Sequence, residues 1–356
     1  MASHGSSFQK VFMGAAGSGG ATGSYIALIH STSPYFTLLD HTTPGSVSSA
    51  ATFTLDGPPT TFGALDFSPD GSYIAMGNKN AYFTLLDHTT AGSVSLKSKS
   101  QSLTDDDPEA ISVSPDGNYI AVGHVTKVNL LNFSNPSSLS VAATYTFSGS
   151  ANKVRDVAFS PDGKYIAVAH QSNPRLTLLD HTTAGSLSLA DTVEPAIQVA
   201  SGDFFGGYST AFSPDGNYIA VGLHGNGGNK EIVLLDHTTD GTMAIADTFD
   251  VAGAVWGLAF SPDGNYLAVA HASSPFFTLL DHTTAGSLSS ADTQTISANQ
   301  AYSVAFSPDG KYIAVGHNST SSTKFTLLDH TTAGSVSISD TFTGTGIGHQ
   351  VAFSPN

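Results

Sequence analysis

The chain has 356 residues, contains no cysteine and carries a net charge of −16, from 12 Lys and Arg against 28 Asp and Glu. Without cysteine it forms no disulfide and uses no thiolate chemistry, and its acidity disfavours binding to the phosphate backbone of nucleic acids. No run of 18 apolar residues is present, so we expect no transmembrane helix and no membrane insertion.

The first 22 residues are rich in Gly, Ser and Ala, which predicts a flexible N-terminal arm. They lack a basic segment followed by an apolar core, so we expect no Sec-type signal peptide. Residues 23–356 are expected to form one domain, because a repeated pattern runs through them.

Two motifs recur in register along this domain. Successive SPDG motifs lie between 46 residues (Ser68 to Ser114) and 53 residues (Ser160 to Ser213) apart. Their first residues are Ser68, Ser114, Ser160, Ser213, Ser261 and Ser307, and a truncated copy begins at Ser354. The second motif, LLDHTT, places its Asp at Asp40, Asp87, Asp180, Asp236, Asp281 and Asp329, with a degenerate copy at Leu131-Asn132-Phe133. A period of this length indicates a repeat architecture.

Each repeat contains four short runs rich in Val, Ile, Phe, Tyr and Thr, typified by VAFSP, YIAVGH, FTLLDH and SLSLADTF. Residues that favour turns separate the runs, which predicts four strands. SPDG fits a type I turn, because Pro presets φ and Gly accepts a positive φ. The second and third runs are apolar on both faces, as expected for a propeller blade that packs between two others.

Counting both motifs gives seven repeats, so the sequence predicts an all-β, seven-bladed propeller with four-stranded antiparallel blades. The truncated last copy supplies a first strand at 350–354 without a second. Residues 24–30 supply a second strand without a first. We therefore expect one blade to be shared between the two ends, which closes the ring and leaves no open sheet edge.

The repeated AFSPDGxYIAVxH and LLDHTT motifs resemble WD40 repeats, and they are also similar to the SPDG-x-Y repeats of YVTN and lactonase-type propellers. The resemblance covers nearly all of the chain after about residue 20. Leu-Asp stands where WD40 repeats carry Trp-Asp, and the Gly-His that opens those repeats is missing. The hydrogen-bond tetrad of WD40 repeats is therefore not transferred to this chain.

Twelve of the 14 histidines occupy two repeated positions, one after the Asp of LLDH and one near the end of the second strand, the latter set including His224. They are either functional, as a ring of metal ligands or a pH switch, or structural residues copied with each repeat. Equivalent positions in neighbouring blades are too far apart to share one zinc ion, which favours the structural interpretation. Asp and His of LLDHTT are adjacent and point to opposite faces, so no catalytic triad is expected there. We expect no cofactor and no metal, and assign most of the acidity, including Asp191, Asp247, Asp292 and Asp340, to turns.

The loops differ between repeats on one rim only. SPDG and DHTT turns share a nearly invariant rim, while the other connections form a variable rim, where binding loops are commonly found. The partner-binding residues predicted on the variable rim are Trp256, Phe204, Phe205, Tyr208, Lys153, Arg155, Asp105, Asp106 and Asp107. The aromatic members either anchor an interface or stack on sugars, or they pack over the top of the barrel. The acidic run Asp105-Asp106-Asp107-Pro108-Glu109 is either a calcium site or a solvated loop, and the second is favoured.

No cluster of acidic and basic side chains outside the repeats is apparent, so the first hypothesis is a protein that is not an enzyme. It would be a binding or scaffold component of a larger particle, such as a phage virion or tail or a cell-surface adhesin, with other proteins and surface glycans as partners. A virion or extracellular location follows from that hypothesis, with the cytoplasm as the alternative. The competing functions are a lactonase-type propeller hydrolase and an intracellular WD40-like interaction hub.

Overall fold

The computed structural model describes residues 25–55, 59–78, 82–100, 107–148, 153–194, 206–225, 230–319, 322–344 and 346–355. Within these ranges the chain forms seven four-stranded antiparallel sheets and no helix. No helix in the described part of the chain has the length and hydrophobicity needed to span a membrane.

The strands are numbered in chain order, and each sheet is one blade. Blade 1 contains β1 (Tyr25–His30), β2 (Tyr35–Asp40) and β3 (Ser48–Thr54), together with β28 (Gly348–Phe353). Blade 2 contains β4 (Pro59–Phe67), β5 (Tyr73–Asn78), β6 (Tyr82–Asp87) and β7 (Ser95–Ser100). Blade 3 contains β8 (Ala110–Val113), β9 (Tyr119–Gly123), β10 (Lys127–Asn132) and β11 (Ser140–Thr146). Blade 4 contains β12 (Val154–Phe159), β13 (Tyr165–His170), β14 (Leu176–Asp180) and β15 (Ser188–Val193).

The remaining three blades follow the same order. Blade 5 contains β16 (Gly207–Phe212), β17 (Tyr218–Leu223), β18 (Ile232–Asp236) and β19 (Ala244–Phe249). Blade 6 contains β20 (Val255–Phe260), β21 (Tyr266–His271), β22 (Phe276–Asp281) and β23 (Ser289–Thr295). Blade 7 contains β24 (Gln300–Phe306), β25 (Tyr312–Asn318), β26 (Thr323–Asp329) and β27 (Ser337–Thr343).

Blade 1 joins the two ends of the chain, as predicted. Its strand order is β28-β1-β2-β3, and β28 pairs antiparallel with β1 in a register that sets Val351 opposite Leu28 and Phe353 opposite Ile26. The predicted all-β, seven-bladed fold and its shared closing blade are confirmed.

The first strand of each blade lies nearest the central axis. The strands β4, β8, β12, β16, β20, β24 and β28 contact one another in a closed ring, whereas the fourth strands are the most solvent-exposed. The SPDG and DHTT turns lie on one rim and the more variable connections on the other. Each innermost strand therefore begins at the variable rim and runs along the central channel.

The SPDG turn is held by its own polar side chains. In blade 6, Ser261 Oγ donates to Asp263 Oδ1 (2.6 Å) and accepts a hydrogen bond from Tyr266 N (2.9 Å). Gly264 has a φ of 75°, which a side chain with a Cβ rarely adopts. The motif therefore closes a tight turn, in which the Asp carboxylate serves as an acceptor for its own loop.

The LLDH histidines form contacts between blades. His282 stands edge-on to Tyr218 of the preceding blade, with ring centroids 5.0 Å apart, and its Nδ1 hydrogen-bonds Gly264 O at 3.0 Å. Phe133 occupies the same place in blade 3, edge-on to Tyr73 of blade 2 at 5.8 Å. The degenerate copy keeps the ring contact and loses the hydrogen bond, so this position is structural.

Four outer-strand aspartates link adjacent blades, which corrects their assignment to turn chemistry. Asp247 Oδ1 accepts a hydrogen bond from Thr248 N (2.8 Å), and its Oδ2 accepts one from Leu288 N of blade 6 (2.7 Å). The equivalent residues are Asp191, which bonds Met243 N, Asp292, which bonds Val336 N, and Asp340, which bonds Val47 N. Blades 1, 2 and 3 carry Ala51, Ser98 and Ala143 at this position.

Replacing Asp247 by Ala is expected to lower the free energy of unfolding by about 1–3 kcal/mol, because it leaves the backbone N–H of the largely buried Leu288 without its carboxylate acceptor. Urea denaturation measures the change. Ser98→Ala, at the same position in blade 2, is the matched control and should change stability by less than about 0.5 kcal/mol. Equal losses in both variants would show that the contact between blades contributes nothing.

Candidate functional site

One position per blade breaks the repetition, five residues before the Ser of SPDG. Its occupants among the described residues form what we call the channel-mouth arc, Glu109, Arg155, Tyr208, Trp256, Tyr302 and His349. In blades 4 to 7 and in blade 1 the pairing of the first two strands skips this residue, for example between Val154 and Asp156, so it occupies a β-bulge. A bulge re-aims the side chain of its extra residue, and bulges are frequent beside active sites.

Glu109 begins the arc beside a lysine of the next blade. Lys153 Nζ lies 2.6 Å from Glu109 Oε1, while Glu109 Oε2 is buried and accepts no hydrogen bond from the described residues. Burial raises the pKa of Glu109, and the nearby Lys153 and Arg155 partly offset the rise. The carboxyl group therefore combines an elevated pKa with one oxygen available to a ligand.

Arg155 follows in blade 4 and is held on two sides. Its guanidinium donates to Gln171 Oε1 and lies over the ring of Tyr208, with Cζ 4.8 Å from the ring centroid. Burial lowers the pKa of Arg155, opposed by Tyr208 and Glu109, yet a guanidinium keeps its charge at neutral pH. The result is a positioned cation next to the Glu109 carboxyl.

Aromatic rings continue the arc across the remaining blades. Tyr208 stands edge-on to Trp256 at 5.2 Å, Trp256 lies 6.4 Å from Tyr302, and Tyr302 lies 5.9 Å from His349. His224, which follows β17, contacts both Tyr208 (5.0 Å) and Trp256 (5.2 Å). The exposed fraction of Tyr208 is 7% and that of Trp256 is 4%, so these rings pack against one another over the channel.

The residues predicted on the variable rim fall into two groups. Trp256, Tyr208, Arg155 and Lys153 converge on the arc, and Asp107 is half-buried near Glu109, whose pKa its charge raises. Asp105, Asp106, Phe204 and Phe205, and the predicted arm over residues 1–22, lie outside the described residues. The partner-binding role of the nine remains a prediction. Among the residues with assigned positions, no three His, Asp or Glu side chains are grouped to hold a metal ion.

Sequence reasoning placed Glu109 only in the acidic run 105–109 and His224 only among the second-strand histidines, and it did not single out Tyr302 or His349. A signal was present, because aligning the copies on SPDG leaves one column that reads Gly63, Glu109, Arg155, Tyr208, Trp256, Tyr302, His349, in which only Tyr recurs. The pattern of apolar runs does not reveal this column, because a bulge places these side chains outside the alternation expected of a regular strand.

Comparison with known proteins places this geometry among propellers. The family model "WD domain, G-beta repeat" matches residues 142–176, 246–274 and 290–323. No curated protein matches the sequence significantly.

Solved structures match over most of the chain. The periplasmic gluconolactonase of Pseudomonas aeruginosa has a TM-score of 0.74 and 18% identity, over 93% of this chain and 99% of that one. A putative 6-phosphogluconolactonase of Bacteroides uniformis has a TM-score of 0.77 and 16% identity, over 93% and 100%. A chain of a mitotic checkpoint complex has a TM-score of 0.64 and 16% identity, over 83% and 84%. WD40-type propellers commonly bind other proteins, and this last match is to a chain of a protein complex.

These comparisons correct the functional hypothesis. The prediction of a non-enzymatic scaffold is wrong, because several of the similar structures are named as lactonases, which favours the alternative of a lactonase-type hydrolase. None of the reported matches supports a virion, tail or adhesin role. The reason for the error is physical: the acidic and basic side chains judged absent come from different blades and meet only at the channel mouth.

At 16–18% identity the similarity to the two structures named as lactonases establishes the fold alone. The chain is a seven-bladed β-propeller in which the WD40 family model matches three segments, and similar structures include propellers named as lactonases.

Proposed function

We propose that the protein is a hydrolase that opens a hydroxylated, sugar-type lactone at the channel mouth. The observation that carries the proposal is the convergence of Glu109, Lys153 and Arg155 from blades 3 and 4 at one end of the aromatic arc. The lactonase names of the similar structures support the same class of reaction.

Glu109 is proposed as the general base. A carboxyl group with a raised pKa is a better proton acceptor near neutral pH than an ordinary Glu, and burial raises this one. Lys153 holds Oε1, which leaves Oε2 to orient a water molecule. Glu109 then takes a proton from the water as its oxygen attacks the lactone carbonyl carbon.

Arg155 and Lys153 are proposed to stabilise the negative charge that develops on the carbonyl oxygen. Both are cations in a largely buried setting, where a charge interacts more strongly than in water. The hydrogen bond to Gln171 and the contact with the Tyr208 ring hold the guanidinium before the reaction begins. Little reorganisation is then needed as the charge forms.

The step balances without a cofactor. The water oxygen bonds to the carbonyl carbon, the carbon–oxygen bond of the ring breaks, and the proton held by Glu109 passes to the ring oxygen as it leaves. The product is the open hydroxy acid. The arc from Tyr208 to Tyr302 is proposed to form the wall against which the apolar face of the sugar ring lies, as aromatic side chains do in many ligand sites.

Glu109→Gln tests the proposal. We expect the purified protein to hydrolyse glucono-δ-lactone above the spontaneous rate and the variant to lose about 100-fold or more in kcat, the usual contribution of a general base. Following proton release at constant pH measures the rate.

Glu194→Gln is the matched control, since Glu194 also pairs with a basic side chain, Arg175 at 3.5 Å, but follows the outer strand β15. It should keep full activity. Absence of turnover in the folded wild type with glucono-δ-lactone and its 6-phosphate would refute the proposal. An active Glu109→Gln variant would remove Glu109 from the base role.

A further inference from the structure

Most blades carry a structural histidine at the end of the second strand, five residues after the Tyr that begins it. These are His30, His124, His170, His271 and His317, with Asn78 in blade 2. His271 Nε2 hydrogen-bonds Thr278 Oγ1 on the third strand at 3.0 Å, and His170 bonds Thr177 in the same way at 2.9 Å. The position therefore holds a buried polar pair that joins two strands.

Blade 5 has lost this pair. Leu223 stands five residues after Tyr218, and Val233 stands where the other blades have Thr or Asn. Both side chains are fully buried in one apolar cluster. His224 is the next residue, so its grouping with the second-strand histidines is wrong: it lies one position beyond the structural slot.

The shift of one residue places the imidazole elsewhere, because neighbouring residues along a strand point in opposite directions. His224 N donates to Gly206 O at 3.0 Å, and the half-buried ring lies 5.0 Å from Tyr208 and 5.2 Å from Trp256. Arg155 Cζ lies 4.8 Å from the same Tyr208 ring. The displaced histidine and the held guanidinium thus share one aromatic side chain at the channel mouth.

We propose that His224 and Arg155 form a subsite for the carboxylate of an organic acid, in which Arg155 is the permanent cation and His224 the switchable one. The inference rests on the proposed function, because the product of lactone opening is such an acid. Imidazole is the side chain whose charge changes most readily near physiological pH. In its protonated form His224 gives the site a second positive charge, and the site then retains the hydroxy acid more strongly.

The surrounding charges favour this behaviour. On the Arg155 side the carboxylate is Glu109, which is paired with Lys153. On the blade 5 side it is Glu231, whose Oε2 accepts a hydrogen bond from Val251 N at 3.4 Å. On the blade 6 side Trp256 carries no charge, and beyond Tyr302 the arc ends at His349, a further imidazole. Among the described residues both of these carboxylates have a local partner, so protonation of His224 increases the attraction for an added anion.

Binding of gluconate, followed by the fluorescence of Trp256, tests the subsite. Trp256 is the single tryptophan of the chain and contacts His224 directly. Gluconate stays ionised throughout, since its carboxyl titrates well below the range used. Between about pH 8 and about pH 5.5 we expect wild-type affinity to rise on the order of tenfold, as a nearby opposite charge predicts.

His224→Asn should lose most of this rise in affinity, and the remainder reports the protonation of Glu109, whose pKa is raised by burial. His271→Asn is the matched control, because it removes a histidine from the structural slot and introduces the residue that blade 2 carries there. It should respond to pH as the wild type does.

A wild type whose affinity does not change with pH, a His224→Asn variant that responds as strongly as the wild type, or no gluconate binding at either pH would each overturn the inference. Lactone turnover is scored separately. A protein that binds gluconate in this manner but hydrolyses no lactone would refute the proposed function and leave the subsite standing, and turnover without the pH response would do the reverse.

Discussion

Deleting residues 348–356 is expected to abolish cooperative folding of the propeller. The deletion removes β28, which is the innermost strand of blade 1 and lies between β24 and β4 in the inner ring. It strips the apolar contacts of Val351 and Phe353, each worth about 1.5–3 kcal/mol. It also removes the backbone hydrogen bonds to β1, each worth about 1 kcal/mol. Their sum approaches the whole stability of a typical domain, about 5–15 kcal/mol.

Thermal unfolding followed by circular dichroism measures the effect, and the uncovered edge of β1 should promote aggregation. Phe353→Ala is a milder test of the same contact. It should lower the free energy of unfolding by about 3–5 kcal/mol, as for a fully buried aromatic side chain. Ile338→Ala is the control, since Ile338 is 47% exposed on the outer strand β27 and should matter little. A truncated protein with an unchanged melting temperature would mean that the shared blade does not close the ring.

Acidification should destabilise the propeller well above the pH at which its turn aspartates titrate. Burial lowers the pKa of His170 to about 3, and lowers those of His271 and His317 to about 4. In the unfolded chain the same side chains titrate near 6.5. Between these values the unfolded state binds more protons than the folded state, so stability is complete above pH 6.5 and falls as the pH drops towards 4.

The expected loss of folding free energy depends on how many buried histidines must take up a proton. At about 1.4 kcal/mol per pH unit for each group, three histidines remove roughly 6 kcal/mol between about pH 7.5 and about pH 5. Urea unfolding at several pH values measures the slope. Aspartates such as Asp116 and Asp263 have lowered pKa values, so their contribution is lost only below this window.

The triple variant His170→Asn, His271→Asn, His317→Asn separates the histidines from other groups. Asn does not titrate, and blade 2 shows that it fits the slot, since Asn78 Nδ2 donates to Thr84 Oγ1 at 3.1 Å. The variant should show a much shallower loss of stability with falling pH, whatever its stability at about pH 8. An unchanged slope would contradict the assignment.

The architecture was predictable from the sequence because it depends on local features repeated seven times. Ser261, Pro262, Asp263 and Gly264 form their turn through contacts within six residues of one another, so the motif specifies the same turn wherever it occurs. The number of motifs determined the number of blades. The unmatched strands at the two ends required the shared blade, since an unpaired inner edge is unfavourable.

The candidate site depended on tertiary structure because its members are distant in sequence and not repeated. Glu109 belongs to blade 3, and Lys153 and Arg155 belong to blade 4. Tyr208 and Trp256 come from blades 5 and 6, so these side chains meet only after the ring closes. Aspartates assigned to turns proved to join blades, as Asp247 does to Leu288.

His224 is a single residue whose role also could not be predicted from the sequence. In the sequence it is one more histidine near the end of a second strand, and its neighbour Leu223 attracts no attention. Pairing across the sheet assigns the buried slot to Leu223 and turns His224 towards Tyr208 and Trp256. Repetition and turn chemistry therefore determined the fold from the sequence alone. Register and the closing of the ring decided which side chains share the channel mouth, because those depend on contacts between strands that the linear pattern does not contain.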